Sequence, residues 1–369
     1  MEKETKSNQT SKQQDTSASA SSLLHTLAPI FVILAAIFWG ILVVFVRAFG
    51  KADFASMEIV TLRVYSSAIF AWIFLLIFDR NNQRKRGTKP PQSSNSQQNT
   101  PHPTFRLRDS WCFIGTGLVS IVFFSYCYFR NVEVSSAAVA AILMYTSPIF
   151  VTLLSAVFFK EKLTKIKLLA LILAILGCAL VSGIAGGLVP RPSIGIAGGI
   201  TGGIAPATTA MVSVSPLGIA LGLGSGIGYA LYSIFGRFAL NKGYSPFFVT
   251  AMTFTFACVG VLPFIDITAL ATKLINEPKY ILLALVMGLV GSCTPFALYT
   301  LGLRYMEASK AAILATLEPI VTALVGTFFY KEPIDLFIIL GIVMVLVAGI
   351  LCSGPSKKEV NHLWQKNSN

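Results

Sequence analysis

Ten long apolar runs, separated by short polar segments, constrain this chain more than any other feature. They cover approximately Leu27–Val46, Ser56–Phe78, Trp111–Tyr128, Ala137–Phe158 and Leu168–Ser182, then Leu217–Phe235, Pro246–Phe264, Ile281–Leu301, Ala311–Phe329 and Leu336–Cys352. About 20 apolar residues at ~1.5 Å each cross ~30 Å of hydrocarbon, so each run reads as a transmembrane helix. Only 12% of the 369 residues are charged, against roughly 25% in an ordinary soluble domain. A disordered chain and a fibrous chain are therefore excluded, and the composition argues against a water-soluble enzyme of this size.

The segments between the runs carry the remaining information. Residues 1–26 form a polar tail rich in Ser, Thr, Gln and Lys, expected to be disordered and cytoplasmic. Residues 80–110 are rich in Pro, Gln, Ser and Asn and carry the basic cluster Arg84, Lys85, Arg86 and Lys89; they read as a disordered loop. The glycine-rich segment 183–215 lies at the midpoint and reads as a linker. Residues 353–369 form a second polar tail. With the N-terminus inside and ten helices alternating, inner segments hold 21 Lys and Arg and outer segments hold 6. This positive-inside asymmetry predicts both termini in the cytoplasm. The net charge of +13 then reflects the anionic lipid face rather than nucleic acid.

The midpoint linker separates two copies of one unit. A shift of 171 residues lays Tyr128–Glu161 on Tyr299–Glu332 with 12 of 34 positions identical, including Pro148 on Pro319 and Lys160-Glu161 on Lys331-Glu332. Apolar bias does not supply proline or Lys-Glu matches. A shift of 190 lays Ile37, Phe45 and Arg47 on Ile227, Phe235 and Arg237, with Trp39 on Tyr229. Five helices per half is an odd number, so the second half enters the membrane from the opposite side. The expected fold class is thus all-α and integral to the membrane, with ten transmembrane helices as two inverted five-helix repeats. That architecture is typical of transporters, whose halves rock about a central site.

The motifs carry a family likeness. Residues 27–182 and 216–352 each resemble an EamA domain of the drug/metabolite transporter superfamily. The features are Ala36-Ile37-Phe38-Trp39-Gly40, Leu62-Arg63-Val64, Pro148 through Phe158-Phe159-Lys160-Glu161-Lys162, and Leu317-Glu318-Pro319 through Phe328-Phe329-Tyr330-Lys331-Glu332-Pro333. The resemblance implies an exporter or facilitator of small organic metabolites, amino acids or drugs in the cell membrane, working by alternating access. A nucleotide-sugar or phosphate-ester transporter of the same superfamily is the alternative within the class. An integral-membrane transferase is the alternative from another class.

Several residues are candidates for the substrate cavity. Arg63 lies about seven residues, ~10 Å, into the second span, where a charge is costly and must face a cavity or a partner. It is either a substrate or gate residue, or a structural arginine bonding carbonyls. Glu58 lies near the interface, about 140° around the helix from Arg63. Glu318 is placed mid-helix before Pro319. It is a partner for Arg63, a proton-coupling carboxylate, or a residue that holds a proline-broken helix. Along the membrane normal the two charges should stand ~8 Å apart. Pro148 and Pro319 interrupt equivalent spans, and paired interruptions mark a transporter's central site. Thr146 and Ser147 are placed to satisfy the freed carbonyls. Trp39, Tyr145, Tyr229 and Tyr232 offer apolar walls with polar tips, although for any single one of them packing against a neighbouring helix is the preferred reading. The walls are expected from the first, second, fourth, sixth and ninth spans. Gly218, Gly222 and Gly226 form a ridge for close helix packing.

Catalytic chemistry has little to work with. His25, His102 and His362 lie in tails and loops, and the six cysteines lack metal-ligand spacing. No catalytic residue, metal or cofactor is expected. The partners expected are a small-molecule substrate and the lipid bilayer, with a homodimer left open and no nucleic acid.

Overall fold

A computed structural model describes residues 2–87, 105–135, 137–181, 215–331, 334 and 336–353. Every regular element among them is helical. The chain runs α1 (Glu2–Gly50), α2 (Ser56–Gly87), α3 (Leu107–Val134), α4a (Ala137–Met144), α4b (Ser147–Phe159) and α5 (Lys165–Val181). The second half follows as α6 (Pro216–Asn241), α7 (Pro246–Val261), α8 (Ile267–Asn276), α9 (Lys279–Tyr305), α10a (Ala308–Ala315), α10b (Glu318–Tyr330) and α11 (Leu336–Ser353). Among the described residues, nine helices are long and apolar enough to cross a membrane. The helix α5, at 17 residues, is slightly shorter. The chain is an integral, multi-pass membrane protein.

Local chemistry explains where the helices begin and break. Ser215 and Ser245 cap α6 and α7 by accepting the Gly218 and Phe248 amides, with Pro216 and Pro246 in the first turn. A serine cap followed by proline suits a helix start, where the missing proline N–H has no partner to lose. The same logic relocates Pro148 and Pro319. Neither lies mid-helix as the sequence suggests: each opens a second helical segment, after a turn at Tyr145-Thr146 or Thr316-Leu317. Thr146 Oγ1 donates to the Leu143 carbonyl and Thr316 Oγ1 to the Ile313 carbonyl, both at 2.6 Å, covering carbonyls that the breaks expose. Two π-helical stretches also correspond, Gly115–Val122 in α3 and Leu289–Cys293 in α9.

Packing between the halves is reciprocal. The helix α1 lies on α9 and on α10; its counterpart α6 lies on α3 and on α4. Likewise α2 packs on α9 while α7 packs on α3. The counterparts α2 and α7 meet each other, as do α5 and α11. At the last pair a β-carbon on Gly177 would stand 2.8 Å from the Gly341 carbonyl, and one on Gly341 would stand 2.7 Å from that of Gly177. Only hydrogen fits there, so the two backbones touch.

Three boundaries differ from the sequence reading. The first helix starts at Glu2, because residues 1–26 contain no glycine or proline to stop a helix growing back from the apolar span. The helix α2 continues to Gly87, and the segment resumes as an ordered turn at Leu107–Asp109. Thus only the middle of the 80–110 loop lies outside the described residues, as do the linker residues 182–214 and the tail 354–369. The short helix α8 has no counterpart among the apolar runs. Asp266 caps it by accepting the Thr268 and Ala269 amides.

Candidate functional site

A cavity inside the bundle contains about 540 Å³ of space not filled by atoms, its mouth included. Its walls come from six helices. The helix α1 supplies Trp39 and Leu42, α2 supplies Arg63, and α3 supplies Ser120, Ile121 and Phe124. From the second half come Tyr229, Tyr232 and Ser233 of α6, Phe296 and Tyr299 of α9, and Glu318 of α10b.

Two ionisable groups meet here from opposite halves. Arg63 is 6% exposed and Glu318 is 4% exposed. They lie within electrostatic reach of each other, yet no ion pair within 4.0 Å joins them among the described residues. Arg63 Nε is buried without a hydrogen-bond partner. Glu318 occupies the first turn of α10b, where the helix dipole favours a negative charge. The Tyr229 hydroxyl lies beside its carboxylate. The repeat places Thr253 opposite Arg63 and Ser147 opposite Glu318. Both charges of the cavity therefore lack charged twins in the other repeat.

Aromatic rings close around the charges. Trp39 meets Tyr229, Phe296 and Tyr299 at centroid distances of 6.2, 5.2 and 5.4 Å. Phe124 meets Tyr229 edge to face at 5.4 Å. Two side-chain hydrogen bonds join α6 to α9, Tyr232 Oη with Thr300 Oγ1 and Ser233 Oγ with Tyr299 Oη, both at 2.7 Å. These contacts satisfy hydroxyls that lipid and protein would otherwise leave stranded.

Among the sequence candidates, Trp39, Arg63, Tyr229, Tyr232 and Glu318 line the cavity. Tyr145, Pro148 and Pro319 do not. The fourth span contributes no wall, because its break is filled by the glycine ridge of α6. A β-carbon on Gly226 would stand 2.8 Å from both the Leu143 carbonyl and Thr146 Oγ1. Gly222 lies against Leu143 and Asn131, and Gly218 against Ser135 and Asn131. Glu58 stands apart from the cavity. Its carboxylate accepts the Ala55 amide and Lys273 Nζ, each at 2.7 Å. The sequence reading missed the walls from α3 and α9. Tyr299 was within reach, since it opens the repeated block opposite Tyr128. Ser120, Phe124 and Phe296 carry no such signal in helices apolar all round.

Known proteins match along most of the chain. The model of the EamA-like transporter family matches residues 26–183 and 216–354. An uncharacterised transporter of Archaeoglobus fulgidus is 28% identical over 224 residues, which is 61% of this chain and 69% of that protein. An uncharacterised transporter of Helicobacter pylori is 28% identical over 331 residues, 88% of this chain and 94% of its own. A solved crystal structure superposes with a TM-score of 0.60 at 13% identity, covering 88% of this chain and 98% of its own, and so shares the fold. With both repeats matched by one family model, the chain belongs to the EamA-like transporter family.

Proposed function

We propose that this protein carries small organic solutes across the cell membrane by alternating access, with the cavity around Arg63 and Glu318 as its binding site. The observation that carries this reading is the meeting of those two buried charges, one from each half, in a single aromatic-walled cavity. A charge held at that depth is costly unless something pairs with it. A solute bound between the halves would supply that partner, and it would release it when the halves rock. The reciprocal packing of the halves supports an inverted repeat of ten spans, and the distribution of Lys and Arg supports cytoplasmic termini. In this reading the chain is a carrier rather than an enzyme. Its partners are the solute and the bilayer.

A phosphate-ester substrate would call for several cations in the site. Among the described residues Arg63 is the one basic side chain lining the cavity, and Glu318 opposes it. The balance favours a solute of low net charge, with apolar surface to lie against Trp39, Phe124 and Phe296.

Untargeted comparison of metabolites inside and outside cells, with and without the protein, would name the solute. Uptake or efflux of that solute in proteoliposomes, with wild type and Arg63→Ala, tests the site. Wild-type flux that Arg63→Ala abolishes is the expected result. Near-normal flux in the variant removes Arg63 from the site, and no flux of any solute overturns the reading.

A further inference from the structure

At the end of the bundle that bears Lys160, Lys162 and Arg304, a second cluster of charges lies apart from the cavity. Its centre is Glu161. Lys160 ends α4b in the left-handed region at φ 54°, an uncommon conformation for a residue with a β-carbon. That turn aims Glu161 out of its own half and onto the start of α10a. The Glu161 carboxylate accepts the Ala308 amide at 2.7 Å and the Ser309 amide at 3.2 Å, and the Ser309 hydroxyl also donates to it. An anion is favoured at a helix N-terminus, and here it comes from the other repeat.

Two cations complete the cluster. Lys167 of α5 is 5% exposed. Its Nζ lies 2.9 Å from Glu307 and 3.7 Å from Glu161. Arg237 of α6 donates to the Leu303 carbonyl and, at 2.7 Å, to the Met306 carbonyl, covering the end of α9 just before α10a begins. The helices that the cluster engages are packed into the apolar core through Leu303, Ala311, Ala312 and Leu314. The cluster therefore ties the first half to the α9–α10a junction on one side of the cavity.

The repeat does not duplicate this cluster, and the other end joins its halves differently, through Glu58 of α2 and Lys273 of α8. Glu332 is the counterpart of Glu161, but the counterparts of Lys167, Glu307 and Ser309 are Ile338, Ser136 and Ala138. A cation bridged to two carboxylates can thus form at this end and not, from equivalent residues, at the other.

We propose that Glu161 and Lys167 form a latch that holds this end of the transporter shut, with Arg237 bracing the end of α9 that the latch engages, and that releasing the Glu161 carboxylate from Ala308 and Ser309 is the step that opens it. The latch rests on the alternating-access reading above. It concerns how the halves are held and requires no particular solute. The two halves form an equilibrium between two arrangements, and contacts present in only one of them set its population.

The test reads accessibility. In a cysteine-free background, Ala312→Cys places a thiol in α10a one turn past Ser309, at a residue 7% exposed. Its rate of reaction with a small water-soluble maleimide is measured in proteoliposomes with no solute added. Glu161→Gln and, separately, Lys167→Met should each raise the rate about tenfold or more, the scale set by losing a charge-assisted bond. Glu161→Asp should restore much of the slow rate. Monodisperse elution of each variant shows that it is folded. A Glu161→Gln variant that is folded and reacts no faster overturns the latch, as does a rise that Lys167→Met does not share or that Glu161→Asp does not reverse. Flux of solute by the wild type is scored separately, so a failed transport reading and a failed latch give different results.

Discussion

Arg63 and Glu318 face one cavity without forming an ion pair, and each is nearly withdrawn from solvent. Removing one should expose the cost of the other. Arg63→Ala and Glu318→Gln are each expected to insert normally and to lose most transport. If the groups support each other, the double variant should lose less thermal stability than the sum of the singles. The difference should be about 0.5–3 kcal/mol, as for coupled neighbours. Unfolding of all four proteins in one detergent measures it, and strict additivity would show that the charges act independently. A second residue-scale expectation concerns the bond from Tyr232 to Thr300. Thr300→Val leaves the Tyr232 hydroxyl buried without that partner, at a cost of about 1–3 kcal/mol, read in the same melts. The depth of Arg63 and its cost were legible from its place in an apolar run. That Glu318 faces it was only an expectation of height along the membrane normal, since a run of apolar residues says nothing about which way a helix is turned.

Helices make contact here through small residues. The glycines of α6 are not equivalent, and substitution should separate them. A β-carbon on Gly226 meets a carbonyl and a hydroxyl at 2.8 Å, whereas one on Gly224 meets nothing closer than 3.4 Å. Gly226→Ala should therefore destabilise the protein by about 1–3 kcal/mol through overpacking. Gly224→Ala should be neutral or slightly stabilising, since alanine is the better helix former by ~1 kcal/mol. Equal effects at the two positions would mean that α6 is not seated on the α4 break. The ridge of Gly218, Gly222 and Gly226 was legible as a spacing. Its partner was not, because the spacing gives a smooth face but not what lies against it. The reciprocal contact of Gly177 with Gly341 had no spacing signal at all.

Across the whole molecule, the charge asymmetry of the loops predicts a sidedness that labelling can read. In intact cells an impermeant thiol reagent should modify Lys279→Cys, at the outer end of α9. It should modify Lys162→Cys, between α4 and α5, only after permeabilisation. The reverse pattern would invert the topology and place the latch at Glu161 on the outside. The two-half organisation was legible because Pro148 matches Pro319 and Lys160-Glu161 matches Lys331-Glu332. The structure gives those matches a shared conformation: Lys160 and Lys331 both adopt positive φ, at 54° and 56°.

The sequence by itself determined that this chain lives in a membrane, where its main spans lie and that its halves are copies. These are local properties. Crossing hydrocarbon requires a run of apolar residues whatever surrounds it, and a repeat is a comparison of letters. Only the tertiary structure decided which residues share the cavity. It brought in Ser120, Phe124, Phe296 and Tyr299, left Tyr145, Pro148 and Pro319 out of the lining, and joined Glu161 to the start of α10a. When a helix is apolar on every side, periodicity cannot point to its inner face. That face is chosen by how neighbouring helices close on one another, and here small residues on the contact faces decide how close they come.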